Sequence, residues 1–221
     1  KKDVERLLRL GLIEPNFGPW CSPVIMVPKK EPGEFRFTVD YRRINAITRK
    51  DETLLPRIDE TLDRLGTSRV FSRLDLLQGF WQVPMDPQDL DKTTFCTRYG
   101  NFAFKVMPMG LCNAPRTFSR LMTQVMAGKE DYVLVYLDDV IIHSRNVREH
   151  ARHLEATFEA LRKAGLKIAA GKCEFATSST VFLGHLVTSE GITADPSKVE
   201  AIKALAVPTN VKELRSFLGL T

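Results

Sequence analysis

The sequence predicts an α+β fold, and three observations carry that expectation. Short β-prone runs occur in neighbouring pairs joined by tight turns, as antiparallel hairpins require. Amphipathic helical stretches lie between them, with recognisable start and stop residues. The two kinds of element follow each other irregularly, without the strand–helix–strand alternation of a parallel sheet.

Taken in order, a helical pattern of Val4, Leu7 and Leu8 opens the chain and is stopped by Gly11 and Pro15. Pro23–Val27 and Phe35–Val39 are extended runs, and the charged turn from Lys29 to Glu34 makes them a hairpin. Residues 56–65 suit a short helix with Ile58, Leu62 and Leu65 on one face. Val70–Leu76 reads as a strand, and a loop-rich stretch with Pro84, Pro87 and Pro108 follows. A helix starts after Asn113 with Pro115 in its first turn. Its stripe of Phe118, Leu121, Met122, Val125 and Met126 repeats at helical spacing, so it packs into a core.

Tyr132–Leu137 and Val140–Ile142 are separated only by Asp138 and Asp139, which predicts a tight hairpin with both acids at its tip. A helix then starts at Asn146, with Glu149 completing a capping box, an apolar face of Ala151, Leu154, Phe158 and Leu161, and Gly165 as its end. Val181–Thr188 and Ile192-Thr193 form a hairpin across Glu190-Gly191. Helical starts at Asp195-Pro196 and at Asn210–Glu213 close the chain, and there is no repeat, low-complexity tract or flexible linker.

The 221 residues, 43% of them hydrophobic, are enough for one large domain or two closely packed subdomains with a real core. Lys and Arg outnumber Asp and Glu by 32 to 27, giving +5 and a pI near 9.1. That excess suits a polyanionic partner, although many soluble proteins are as basic. No run approaches the roughly 18 apolar residues of a membrane helix, and no signal peptide is expected. The start at Lys1-Lys2-Asp3 and the stop at Thr221 inside an amphipathic pattern suggest a piece of something longer. Cys21, Cys96, Cys112 and Cys173 are widely spaced without a CxxC pair, and are expected as reduced intracellular thiols, neither zinc ligands nor a disulfide framework.

Asp138-Asp139 is the most unusual feature. Adjacent carboxylates between hydrophobic strands repel each other and resist burial unless a cation compensates them. A hard divalent ion such as Mg²⁺ prefers carboxylate and phosphate oxygens. The plain alternative is that Asp is simply a favoured turn residue. Asp75 ends another apolar strand, where it either caps a loop or joins the pair. Three carboxylates gathered in this way can hold two metals roughly 3.5–4 Å apart, as in-line attack at phosphorus requires. His143, His150 and His153 read as strand-end and helix-surface residues with no metal-site spacing, and no Ser/His or Cys/His nucleophile pattern is present.

Tyr136-Leu-Asp-Asp139 resembles the Tyr-x-Asp-Asp box of reverse transcriptases, and the surrounding words resemble those of the gypsy-type long-terminal-repeat retrotransposon Pol family. They run from Gly11–Pro15, Trp20–Val24, Val39–Asn45 and Leu74–Leu76 through Met107–Pro115 to Lys172–Phe175, Phe182–His185 and Leu214–Gly219. The match is collinear over essentially the whole chain.

The resemblance implies a right-handed polymerase, with an antiparallel sheet packed on helices. Fingers would come from residues 1–50 and 83–113, and palm from 51–82 and 114–190. Residues 191–221 would connect to the thumb and supply its first helix. It implies RNA-directed and DNA-directed DNA polymerisation with two Mg²⁺ ions, Mn²⁺ substituting, on an RNA template or DNA primer/template with dNTPs. Asp75, Asp138 and Asp139 match the catalytic, metal-binding carboxylates, and the Leu76 carbonyl an additional ligand. Lys29 or Lys30, with Arg36, match the triphosphate clamp. Phe80 matches the residue beneath the nucleotide sugar, where an aromatic ring leaves no room for a 2′-hydroxyl.

Met109 and Gly110 match the loop lining the nucleotide, where relatives commonly carry Phe or Gln in place of Met109. Pro115 and Tyr136 lie on the template and primer side, and Leu183, Gly184 and His185 resemble the primer grip. Protease, ribonuclease H and integrase are the polyprotein neighbours the resemblance implies. It also implies a cytoplasmic virus-like particle with a later nuclear step. A catalytically silent nucleic-acid-binding or assembly module derived from a retroelement is the alternative.

Overall fold

Helix α1 (Lys2–Arg9) turns Val4 and Leu7 inward and leads into β1 (Ile13–Pro15), β2 (Ser22–Pro28) and β3 (Phe35–Val39). The structure, a computed structural model, describes residues 1–28, 33, 35–52, 57–66, 68–137, 139–205 and 207–219. Short helices α2 (Arg42–Ile47) and α3 (Ile58–Asp63) precede β4 (Val70–Asp75). Next come β5 (Phe95–Thr97), β6 (Gly100–Phe104) and the long helix α4 (Ala114–Val125). The hairpin β7 (Val133–Tyr136) and β8 (Asp139–Ser144) is followed by α5 (Val147–Lys163) and β9 (Glu174–Thr177). A meander of β10 (Ser179–Phe182), β11 (His185–Thr188) and β12 (Gly191–Ala194) leads to α6 (Pro196–Lys203) and α7 (Val211–Leu218).

Among the described residues these strands form three sheets, ordered β1-β6-β5-β2-β3, β7-β8-β4-β9 and β10-β11-β12. The mixture is the α+β fold that the sequence predicts. The first sheet closes over a core of Phe95, Phe102, Phe104, Val39 and Tyr41, with Val4 and Leu7 of α1 against it. The second sheet is buried on both faces, and the pleat of its strands sorts the side chains. Leu74, Val140 and Ile142 face Phe118, Met122 and Leu161 of α4 and α5. Phe71, Ile141 and Leu134 face Leu62 and Leu65 around α3, with Phe182 and Val187 of the meander.

Several local expectations need correction. The loop-rich stretch after β4 also holds two strands that the sequence reading does not place, β5 and β6. These strands are short, and Phe95 is held by parallel pairing with the distant Ser22, which no local pattern reveals. That same pairing overturns the reading of all four cysteines as free. Cys21 and Cys96 flank the Ser22↔Phe95 pair and form a disulfide with Cα atoms 5.8 Å apart, while Cys112 and Cys173 are free.

The run Val181–Thr188 is two strands, broken where Leu183 and Gly184 both take positive φ (51° and 79°) and bring Phe182 opposite His185. Two successive left-handed residues make the turn whose twist suits a hairpin.

Helix α5 is also rotated from its expected face. Ala151 and Phe158 are exposed, while His150, Thr157 and Leu161 are buried. Polar partners on the sheet cause the rotation. His150 Nε2 is 2.7 Å from Ser72 Oγ and its Nδ1 is 2.9 Å from Ser144 Oγ, which also lies 2.8 Å from His153 Nδ1. His143 is likewise buried, 2.8 Å from Ser68 Oγ. His143 lies at the end of β8, as expected, with its side chain buried, whereas His150 is a core residue, contrary to the expectation of a helix-surface position.

Candidate active site

The register of the central sheet builds the site. β4 and β8 run antiparallel with Leu74 opposite Val140 and Asp75 opposite Asp139. Both backbone groups of Asp75 point away from β8. Its N–H is directed at Cys173 Sγ (3.5 Å), and its carbonyl accepts from the Ala169 N–H (2.8 Å). Asp75 and Asp139 are thus a non-hydrogen-bonded pair, the closer of the two antiparallel types, with Cα atoms about 4.5 Å apart and side chains on one face. The same alternation turns the backbone of Leu76 the other way. Leu76 bridges Ile168 between the Leu77→Lys167 and Ala169→Asp75 bonds, so its own carbonyl points to the β8 side.

Asp139 closes the ladder of the hairpin whose tip is expected to carry both acids. Tyr136 pairs with Asp139, with Leu137 at φ 57° and Asp139 already in the ladder. Asp138, Lys29 and Lys30 lie outside the described residues.

Like charges directly opposite in a sheet repel, and compensation comes from the loop after α5. Lys172 Nζ is 3.8 Å from Asp75 Oδ2, with both side chains partly in solvent. Beside it, Cys173 Sγ sits 3.4 Å from the Ala169 carbonyl and backs the strand end that carries Asp75. Lys172 and Cys173 belong to a word quoted above for its resemblance, but sequence reasoning gave neither a place at the carboxylates. A lone Lys in a loop announces nothing until the Leu76–Ile168 bridge brings that loop to β4. Two opposed carboxylates with an outward-directed carbonyl suit a hard divalent ion, which takes oxygen ligands. No cluster of three or more His, Cys, Asp or Glu residues arranged for a metal occurs among the described residues.

The other candidates fall in three places. Phe80 lies in a helical turn, Gly79–Gln82, directly after the Asp75 strand; its ring packs edge-on against Phe118 of α4 with centroids 5.5 Å apart. Gly79 allows this close approach, since a Cβ there would lie 2.8 Å from Phe118 Cζ. Arg36 is exposed on β3 opposite Val27, in the other sheet. Met109 is exposed, and Gly110 (φ 97°) has its carbonyl held by Asn45 Nδ2 at 2.8 Å, while the Cys112 N–H donates to Asn45 Oδ1 at 2.9 Å. Sequence reading passed over Asn45 as a clamp for this loop.

Pro115 occupies the first turn of α4. Leu183 and Tyr136 pack on the same cluster of Phe71, Leu134 and Phe182. That places the Leu183-Gly184 turn beside the strand leading to Asp139, and His185 Nδ1 lies 3.2 Å from the Leu183 carbonyl.

This architecture, three sheets with helices and a carboxylate pair at a strand end, is that of a nucleic-acid polymerase with fingers and palm. The chain belongs to the reverse transcriptase (RNA-dependent DNA polymerase) family, whose model matches residues 27–187. It is 41% identical over its whole length to the retrovirus-related Pol polyprotein from transposon 297 of Drosophila melanogaster. It is 36% identical over 99% of its length to that from transposon gypsy of the same organism. These matches take in 21% and 22% of the polyproteins, so the chain spans about a fifth of the curated relatives' length.

Its structure superposes on a foamy viral protease-reverse transcriptase in complex with double-stranded DNA. The TM-score is 0.92 and the identity 26%, over all of this chain and 39% of the other. A foamy viral protease-reverse transcriptase bound to an RNA/DNA hybrid gives a TM-score of 0.88 at 26% identity, over 98% of this chain and 29% of that one. No helix among the described residues is long and apolar enough to cross a membrane.

Proposed function

We propose that the chain is the fingers-and-palm part of an RNA-directed DNA polymerase that copies retrotransposon RNA into DNA. The observation that carries the reading is the opposition of Asp75 and Asp139 in a close, non-hydrogen-bonded pair at the end of the central sheet. In the reaction a primer 3′-oxygen bonds to the α-phosphorus of a dNTP, the bond to pyrophosphate breaks, and the hydroxyl proton is lost. Asp75 and Asp139, with Asp138 and the Leu76 carbonyl, would hold two Mg²⁺ or Mn²⁺ ions. Such ions, when bound, supply charge stabilisation to the attacking and leaving oxygens.

The protein's part is mainly positioning and electrostatics. Arg36, with Lys29 or Lys30, receives the triphosphate. Phe80 lies under the sugar and excludes a 2′-hydroxyl. Met109 and Gly110 line the nucleotide pocket, and Pro115 and Tyr136 face the template and primer. The Leu183-Gly184-His185 turn orients the primer end. Residues 1–50 and 83–113 are read as fingers, 51–82 and 114–190 as palm, and 191–221 as the approach to the thumb.

The test is extension of a labelled DNA primer on an RNA template with Mg²⁺ and dNTPs, using the longest natural polypeptide that contains this chain. Asp75→Asn and Asp139→Asn are expected to abolish product while the fold is retained. Full-length product from either variant would defeat the assignment. Salt-sensitive binding of primer/template without any product from the parent would identify a binding module instead.

A further inference from the structure

Gln82 lies two residues beyond Phe80, and its side chain makes three hydrogen bonds, all to backbone. Its Nε2 donates to the Leu77 carbonyl (2.8 Å) and to the Lys167 carbonyl (2.9 Å), while its Oε1 accepts from the Lys167 N–H (2.7 Å). The Lys167 carbonyl also accepts from the Leu77 N–H (3.0 Å). Both hydrogens and the oxygen of one amide are thereby used. Fixing a Gln side chain gives up the rotamer freedom of a long polar group, so a partly exposed glutamine held in this way is being kept in place by its bonds.

What the bonds connect gives them meaning. The Leu77 bond closes the turn that carries Phe80 onto itself. The Lys167 bonds sew that turn to the loop after α5. The same loop donates from Ala169 N–H to the Asp75 carbonyl and sets Lys172 Nζ 3.8 Å from Asp75 Oδ2. On its other side the turn rests on Phe118, through Gly79 and the Phe80 ring. The Phe80 turn thus rests on apolar contacts to Phe118 and, through Trp81, to Phe104, and the Gln82 amide adds the side-chain bonds that tie it to the loop.

We propose that Gln82 is a positioning residue that locks the Phe80 turn to the loop bracing Asp75, and so sets how strictly the site rejects a 2′-hydroxyl. The proposal rests on the polymerase reading above. Without the tie the turn keeps its apolar contacts with Phe118 and Phe104 and the Leu77–Lys167 backbone bond, but loses the side-chain bonds that fix its far end to the loop, and the ring can withdraw to admit a ribose. Glutamate is a revealing replacement, because its carboxylate accepts but does not donate. It keeps the Lys167 N–H bond yet sets negative charge against two carbonyl oxygens, so Gln82→Glu is expected to loosen the turn at least as much as Gln82→Ala.

The experiment has two arms. Amide hydrogen exchange needs no activity, and in Gln82→Ala and Gln82→Glu it is expected to rise together in residues 77–82 and 167–172. Single-nucleotide incorporation by the longest natural polypeptide containing the chain gives kcat/KM for dNTP against rNTP. That ratio is expected to fall about 10-fold in both variants, an angstrom-scale misplacement being worth that much or more. It should fall no further in Phe80→Val/Gln82→Ala than in Phe80→Val alone. Unchanged exchange in both segments would overturn the tie. Raised exchange with unaltered sugar discrimination would reduce Gln82 to a structural role and overturn the positioning claim. A parent that incorporates neither nucleotide would overturn the polymerase reading and this role with it, whatever the exchange arm shows about the tie.

Discussion

Replacing Gly79 by Ala tests how tightly the turn after Asp75 is packed. Gly79 is buried and does not adopt positive φ, so its backbone accepts Ala without conformational strain. The added methyl has nowhere to go. It would lie 2.8 Å from Phe118 Cζ and 3.2 and 3.3 Å from the two Cε atoms, whereas carbon atoms pack at about 3.5–4.0 Å. Relief needs the ring to retreat by roughly 0.7–1 Å. Phe118 has no exposed surface and lies among Leu74, Met107, Met122 and Ile142, so retreat means overpacking.

Overpacking a dense core costs about 1–3 kcal/mol, while removing a glycine from the unfolded chain returns up to about 1 kcal/mol. The expected net loss is about 1–2 kcal/mol, read as a fall of about 0.5 M in the urea midpoint at unchanged slope. Because Phe80 leans on Phe118, the variant should also raise KM for dNTP. Phe118→Leu introduced into Gly79→Ala should recover part of the loss, giving a measurable coupling. An unchanged midpoint for Gly79→Ala would show that Phe118 is not pressed against this backbone.

Two further outcomes follow from buried groups. Burial, more than the nearby charges of Arg64, His153 and His150, pushes His143 down to about 4, and burial also lowers His150. Both are neutral in the fold and charge more easily when unfolded, near 6.5, so the unfolded chain binds more protons below that pH. Stability should be fully present above pH 6.5 and fall as the pH drops towards 4, by about 3 kcal/mol from His143 alone. His143→Gln should flatten that slope in denaturation curves measured from pH 7 to 4, and an unaltered slope would contradict it. The Cys21–Cys96 disulfide should appear as one cross-linked peptide in a non-reducing digest. Reduction should lower stability by up to about 4 kcal/mol, and Cys21→Ser should be insensitive to reductant.

Local chemistry made much of this protein legible. The stripe on α4, the Asn146 cap accepting from the Glu149 N–H, and the β7–β8 hairpin closed by Tyr136 and Asp139 all rest on contacts a few residues apart, which periodicity and turn propensity report. The ordered family words located the carboxylates because they match, in residue type and spacing, a motif whose metal chemistry needs oxygen ligands. The sequence by itself therefore determined the α+β class, most of the helices and hairpins, and the candidates Asp75, Asp138 and Asp139.

Tertiary structure decided what depends on pairing between distant segments. Only the β4–β8 register sets Asp75 opposite Asp139, and only the β2–β5 pairing joins Cys21 to Cys96. Ser72 and Ser144 decide that α5 buries His150 and exposes Phe158, against the apolar pattern. Lys172 and Gln82 gain their places from a loop that reaches β4 through one bridge at Leu76. Strand register and side-chain amide bonds are specified by the summed packing of both faces of a sheet. No window of neighbouring residues contains that sum.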